Sequence, residues 1–153
     1  MKFFFTPDKI GILASNEVFV YGANEAGIHG AGAAKLALKW GAKIGAYGFN
    51  GRTYGIPTKS TKIKTLPRAK IGAHVDEFLL FAIEHPDHVF LVTQIGCGLA
   101  GFKVRDMAPL FRRALLIKNI VLPESFFRYL ILEQEQMDKF AQEMKMTDSG
   151  AHE

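Results

Sequence analysis

Apolar positions in this chain fall into short unbroken runs, separated by glycine-rich stretches and by segments of helical period. After Glu17, the run Val18 to Tyr21 has the pattern of a buried strand. Residues 22–30 read as a loop. Residues 31–40 follow as a helix of small residues, which Gly41 ends as a C-cap. Residues 43–47 and 53–57 predict two short strands around Asn50-Gly51, a strong hairpin signal. Pro67, with Thr65 before it as a cap, opens a helix. Val75, Phe78, Leu79, Ala82 and Ile83 recur at helical spacing across 67–84, and Pro86 stops the segment. Val89 to Thr93 reads as a central strand. Glycines crowd residues 96–102. A helix over 104–116, a strand over 119–122 and a last helix at about 125–144 complete the chain, with a frayed tail from Thr147. The apolar positions of that last helix are Phe126, Phe127, Leu130, Leu132 and Met137. They face either the domain or a second subunit, so an oligomer through this helix stays open.

Strands that alternate with helices argue for α/β layers around a largely parallel sheet, here as a single domain over 1–153. Ligands in such sheets sit beyond the carboxyl ends of the strands. Both glycine-rich loops occupy that place, each after a strand and before a helix.

Composition narrows the chemistry. No apolar run approaches the ~20 residues that span a membrane. Lys2 and Phe3, Phe4 and Phe5 are cut off by Pro7, too short for the apolar region of a signal peptide, so the expected location is cytoplasmic. Cys97 is the single cysteine, which excludes an internal disulfide and a cysteine-based zinc site. His29, His74, His85, His88 and His152 form no metal-ligand motif, and nothing calls for a metal or cofactor. Net charge is +4, with one dense basic stretch at Lys59, Lys62, Lys64, Arg68 and Lys70. Aromatic residues do not interleave with it, so a basic rim around an anionic small ligand accounts for the charge as well as nucleic acid does.

In the first loop, Gly27, Gly30 and Gly32 permit close backbone approach, and Ala31, Ala33 and Ala34 remove bulk. The loop runs into a helix N-terminus, where free N–H groups favour an anion. Asn24 and His29 are the polar groups placed to read what lies beside it. No Gly-Lys-Ser/Thr closes the loop, and Lys35 stands where a dinucleotide fingerprint needs its third glycine. The second loop, Gly96, Cys97, Gly98, Leu99, Ala100, Gly101 and Phe102, does match G-x-G-x-x-G, with Glu124 some way beyond. It comes late in the chain, which leaves room for only one more strand. Cys97 is either a small residue in a tight loop or a thiol near a helix N-terminus, where its pKa would fall.

The stretches Val18 to Asn24, His29 to Ala34, Tyr54 to Lys59 and Thr93 to Phe102 resemble the macrodomain-like proteins, most closely a phage-type branch. The resemblance spans roughly residues 17–124, and Ile95 to Leu99 carry it most specifically. It implies a three-layer α/β/α fold around a mixed, largely parallel sheet that binds ADP-ribose. Gly22, Ala23 and Asn24 would then lie near the distal ribose. Gly30 to Ala33 would cradle one side of the diphosphate, Gly96 to Phe102 would close over the other, and Thr58 and Lys59 would join the site. Where a hydrolytic branch carries an acidic residue after Gly-Cys-Gly-Leu, this chain has Ala100.

Four functions follow as expectations. The first is a module that captures or senses ADP-ribose or a related nucleotide. The second is a hydrolase that removes ADP-ribose from modified substrates or cleaves its esters, with Asn24 and His29 positioning the ribose for a bound water. The third is a nicotinamide oxidoreductase resting on Gly96 to Gly101. The fourth is a nucleic-acid protein, for which only the basic stretch speaks.

Overall fold

A parallel strand needs a crossover before its neighbour, and this chain supplies one between most of its strands. The computed structural model describes residues 4–151, so Lys2, Phe3 and His152 lie outside the described residues. Strands β1 (Glu17–Asn24), β2 (Gly48–Asn50), β3 (Thr53–Lys59), β4 (Val89–Val92) and β5 (Ile120–Val121) alternate with four helices. The helices are α1 (Gly32–Ala37), α2 (Arg68–Glu84), α3 (Val104–Met107) and α4 (Glu124–Ala151). The sheet order is β2-β3-β1-β4-β5. Every pairing is parallel except the β2–β3 hairpin. Among the described residues no helix is long and apolar enough to cross a membrane.

The unbroken apolar run of β1 is explained by burial on both faces. Val18 and Val20 join Ile56, Phe78, Phe90, Phe111, Phe126 and Leu130 on one side, under α2 and α4. Phe19 and Tyr21 join Ala37, Trp40 and Leu91 on the other, under α1. The result is a three-layer α/β/α fold with a mixed, mostly parallel sheet.

Several expected elements shift. Residues 43–47 form no strand: β2 begins at Gly48, and the two-residue turn is Gly51-Arg52, one residue later than expected. Gly45 and Gly48 take positive φ, and the Gly45 N–H bonds to the Gly27 carbonyl at 2.8 Å instead of a strand. α1 tightens into a 3-10 turn, Leu38–Trp40, before Gly41 ends it at φ 97°. The helix expected over 104–116 is α-helical only to Met107 and 3-10 over Ala108–Leu116, where Pro109 removes an N–H from the ladder. Thr65 does not cap α2; its hydroxyl donates to the Ala100 carbonyl at 3.1 Å, tying the β3–α2 loop to the second glycine loop. α4 continues to Ala151, so the stretch from Thr147 is helical rather than frayed.

Burial pushes the phenols of Tyr21 and Tyr54 up to about 12, with the carboxylate of Glu77 and then Tyr47 adding to the effect at Tyr54. A raised acid pKa means that the folded state holds a proton the unfolded chain has lost. Stability is therefore intact below pH 10 and falls as the pH rises from 10 towards 12. Each phenol contributes on the order of 2–3 kcal/mol across that window. Urea midpoints measured between pH 9 and 12 should drop steeply above 10. Tyr21→Phe should flatten part of that drop, and an unchanged profile in the variant would refute the assignment.

Candidate functional site

β1, β3 and β4 end on the same edge of the sheet, and the loops leaving them meet there. The first loop is shaped by side chain–backbone bonds. The Asn24 amide donates to the Ile28 carbonyl at 2.8 Å, and its oxygen accepts the Ile28 N–H at 2.9 Å. The Gly27 N–H bonds to the Asn24 carbonyl at 3.0 Å, and the Glu25 N–H to the Lys59 carbonyl at 2.9 Å. His74 of α2 lies 3.4 Å from the Glu25 carboxylate, which fastens the loop from outside.

His29 is not where the sequence reading put it. The residue is only 8% exposed, and both ring nitrogens are engaged. Nδ1 lies 2.7 Å from the Gly27 carbonyl, which can only accept, so Nδ1 carries the proton. Nε2 then accepts from the Tyr21 hydroxyl at 2.9 Å. His29 faces the core side of the loop and holds its shape. It does not line the cleft, so its expected role beside the ribose is corrected to a positioning one.

The second loop is held just as tightly. Gly96 takes φ 79°, and a Cβ there would run into the Met107 side chain, 3.0 Å from Cγ and nearer still to the sulfur. The Phe102 N–H closes the loop on the Gly96 carbonyl at 2.9 Å, and the Phe102 ring packs on the core. The Cys97 thiol lies 3.7 Å from the Ile95 carbonyl. Burial, and then the charge of Asp106, push its pKa up, the reverse of what a nucleophilic thiolate needs.

Between the loops lies a cleft of about 360 Å³. Of the residues expected at the site, Gly22, Ala23, Asn24, Gly30, Ala31, Gly32, Ala33, Thr58, Lys59, Gly96, Gly98, Leu99 and Ala100 line it. Gly27, His29, Cys97, Gly101 and Phe102 do not; they set the backbone of the two loops. Ala34, expected to clear the approach, lines it too, and Ile28, Ile63, Thr93, Gln94 and Ile95 line it as well and were missed. Thr93 and Gln94 were within reach of sequence reasoning, because they directly follow β4 at its carboxyl end. Ile63 was not: it is a β-branched residue held at φ 60° in a loop that Ser60 organises by accepting the N–H groups of Lys62 and Lys64. Such a conformation costs on the order of 1–3 kcal/mol and clusters at functional loops.

The electrostatics of the cleft are one-sided. Among the described residues, Lys59 is the only charged one lining it, and no carboxylate does. The N–H groups of Gly32, Ala33 and Ala34 open α1 and have no partner within the helix. Across from them, the N–H groups of Gly98, Leu99 and Ala100 donate to no other backbone group among the described residues. The Thr93 hydroxyl is spent on the Val20 carbonyl at 2.8 Å. Glu124, which a nicotinamide site would need, lies outside the cleft and pairs with Arg128 at 2.6 Å. Among the described residues no three His, Cys, Asp or Glu side chains gather as a metal site.

No family model matches this chain, and no curated protein does either. Among solved structures, the chain is similar to a protein of unknown function from Bacteroides thetaiotaomicron. The TM-score is 0.52 at 21% identity, over 74% of this chain and 88% of the other. That likeness concerns the fold alone.

Proposed function

We propose that this protein binds ADP-ribose, or a related ADP-ribose-containing nucleotide, and captures or senses it. One observation carries the reading. Two glycine-rich stretches whose N–H groups bond to no backbone acceptor, Gly32 to Ala34 and Gly98 to Ala100, line one cleft together with Lys59, and among the described residues no carboxylate lines it. Such a site suits a compact, multiply charged anion, because fixed N–H dipoles in a partly desolvated cleft need no reorganisation to meet it. The largely apolar remainder of the lining, from Ile28, Ile63, Ile95 and Leu99, suits the uncharged parts of a nucleotide. Capture is favoured over hydrolysis because none of the lining residues is a His, Asp, Glu or Cys, and the Asn24 amide is already engaged by Ile28.

Calorimetric titration with ADP-ribose tests the reading, with the nucleotide recovered and analysed afterwards. Micromolar or tighter binding with intact ADP-ribose is the expected result. Absence of binding would overturn the ligand, and a cleaved product would overturn the passive role. Lys59→Met should weaken binding by about tenfold and flatten its salt dependence, as loss of one cation facing a phosphate requires. Equal affinity in that variant would place the anion away from Lys59.

A further inference from the structure

Cations at the mouth of the cleft are organised differently from those on the far helices. Arg112, Arg113 and Arg128 are each matched by a carboxylate, from Glu133, Asp76 and Glu124. Lys59, Lys62, Lys64, Arg68 and Lys103 are not: among the described residues none of these five forms an ion pair. The sequence withholds their partners. Residues 26–75 hold nine Lys and Arg and no Asp or Glu, so no carboxylate of that segment can neutralise them. Glu25, just before it, is turned to His74 at 3.4 Å. Asp106 spends its carboxylate on the Lys103 N–H at 3.0 Å.

Long-range hydrogen bonds join these cations into one rim. Lys59 lines the cleft at the end of β3, and Lys62 and Lys64 flank Ile63, which lines it too. The Thr65 hydroxyl reaches the Ala100 carbonyl of the second loop at 3.1 Å. The Arg68 Nε–H donates to the Asp106 carbonyl at 2.8 Å, three residues past Lys103. All five side chains are exposed except that of Lys59, which is half-buried. Like charges gathered this way repel until an anion spans them.

We propose that a nucleic-acid strand lies along this rim, held by its phosphates. Four exposed cations from separate segments call for an anion with repeated charge, which a phosphodiester chain supplies at every nucleotide. The guanidinium fork of Arg68 matches phosphate oxygens. Residues 59–70 contain no aromatic side chain on which bases could stack, so the strand is held through its backbone, without base preference. A membrane surface fits less well, because the exposed apolar side chains here, Ile63 and Leu99, line the cleft instead of forming a face to insert.

Fluorescence anisotropy with labelled single strands of about 20 nucleotides, oligo(dT) and oligo(dA), tests this. No ADP-ribose is present, so the result is independent of what the cleft binds. Dissociation constants on the order of micromolar are expected at low salt, equal for the two sequences. With four phosphate contacts, log affinity against log salt should fall with a slope of about −3. Lys62→Ala combined with Lys64→Ala should weaken binding at least about tenfold and cut that slope to roughly half. Lys139→Ala combined with Lys145→Ala removes the same charge from exposed positions of α4 and should change neither. Absence of binding at 100 µM protein overturns the proposal. So does a salt slope that the rim substitutions leave unchanged, or an equal loss in the α4 variant. Tighter binding of a polyglutamate chain, or of phosphatidylserine vesicles, would also overturn it and assign the rim to an acidic peptide or a membrane.

Discussion

Gly27→Ala is expected to cost about 3 kcal/mol or more of unfolding free energy. Gly27 sits at φ 70°, a conformation that an added Cβ disfavours by roughly 1–2 kcal/mol. Space is the larger obstacle. A Cβ would fall inside the backbone of Ala46 and Gly45, with the Gly45 Cα only 2.7 Å away. Backbone cannot swing aside as a flexible side chain can. The segment that would move also carries the Gly45 N–H bonded to the Gly27 carbonyl, and the same carbonyl accepts from His29. One methyl group therefore opposes the whole scaffold of the first loop. Gly30→Ala is the control, because its nearest neighbour, Ile28 Cγ2, lies 4.0 Å from the new Cβ and its φ is not positive. Urea unfolding should separate the two variants by several kcal/mol. Similar midpoints would show that the loop tolerates a shift that this packing forbids.

Gly22→Val is expected to raise the dissociation constant for ADP-ribose at least 100-fold while the fold survives. A Cβ at Gly22 meets Ile95 Cγ2 and the Thr58 hydroxyl at 3.7 Å and the Gly96 nitrogen at 3.8 Å, ordinary contacts with three residues of the cleft floor. Its φ is not positive, and a strand position accepts a β-branched side chain. The two extra methyl groups then occupy space between the loops where the anion would approach the backbone. Gly32 is a poorer test, because its φ of 60° adds strain to any substitution there. Calorimetry and thermal unfolding should be run on the same samples. Lost binding with a midpoint within a few degrees of the native one supports the cleft. Native affinity would move the ligand elsewhere, and a collapsed midpoint would show that Gly22 serves packing.

Much of this architecture was legible along the chain. The β-branched runs of β1 and β4, the helical period of α2 and the glycine stretches between them are local signals. Local signals suffice to place both loops at the carboxyl edge of a parallel sheet. The cleft residues beside those strands, from Gly22 to Asn24, Gly96, and from Gly98 to Ala100, followed from that placement. The errors share a different origin. His29 looked like a ligand group because its partners lie out of view: Tyr21 stands on a buried strand face eight residues earlier, and the Gly27 carbonyl turns toward the ring only once the loop has folded. Residues 43–47 looked like a strand because nothing near them reveals that Gly27 takes their backbone as its packing surface. Ile63 entered the cleft through a left-handed turn that its β-branched side chain disfavours on its own. α4 ran past Thr147 although most of its outer surface finds no partner in the body. The sequence by itself thus determined the sheet, its layers and the two glycine loops, since hydrophobic period and glycine placement act over a few residues. Only the tertiary structure decided which side chains face the cleft and which brace it, because that choice rests on hydrogen bonds and contacts between segments far apart in the chain.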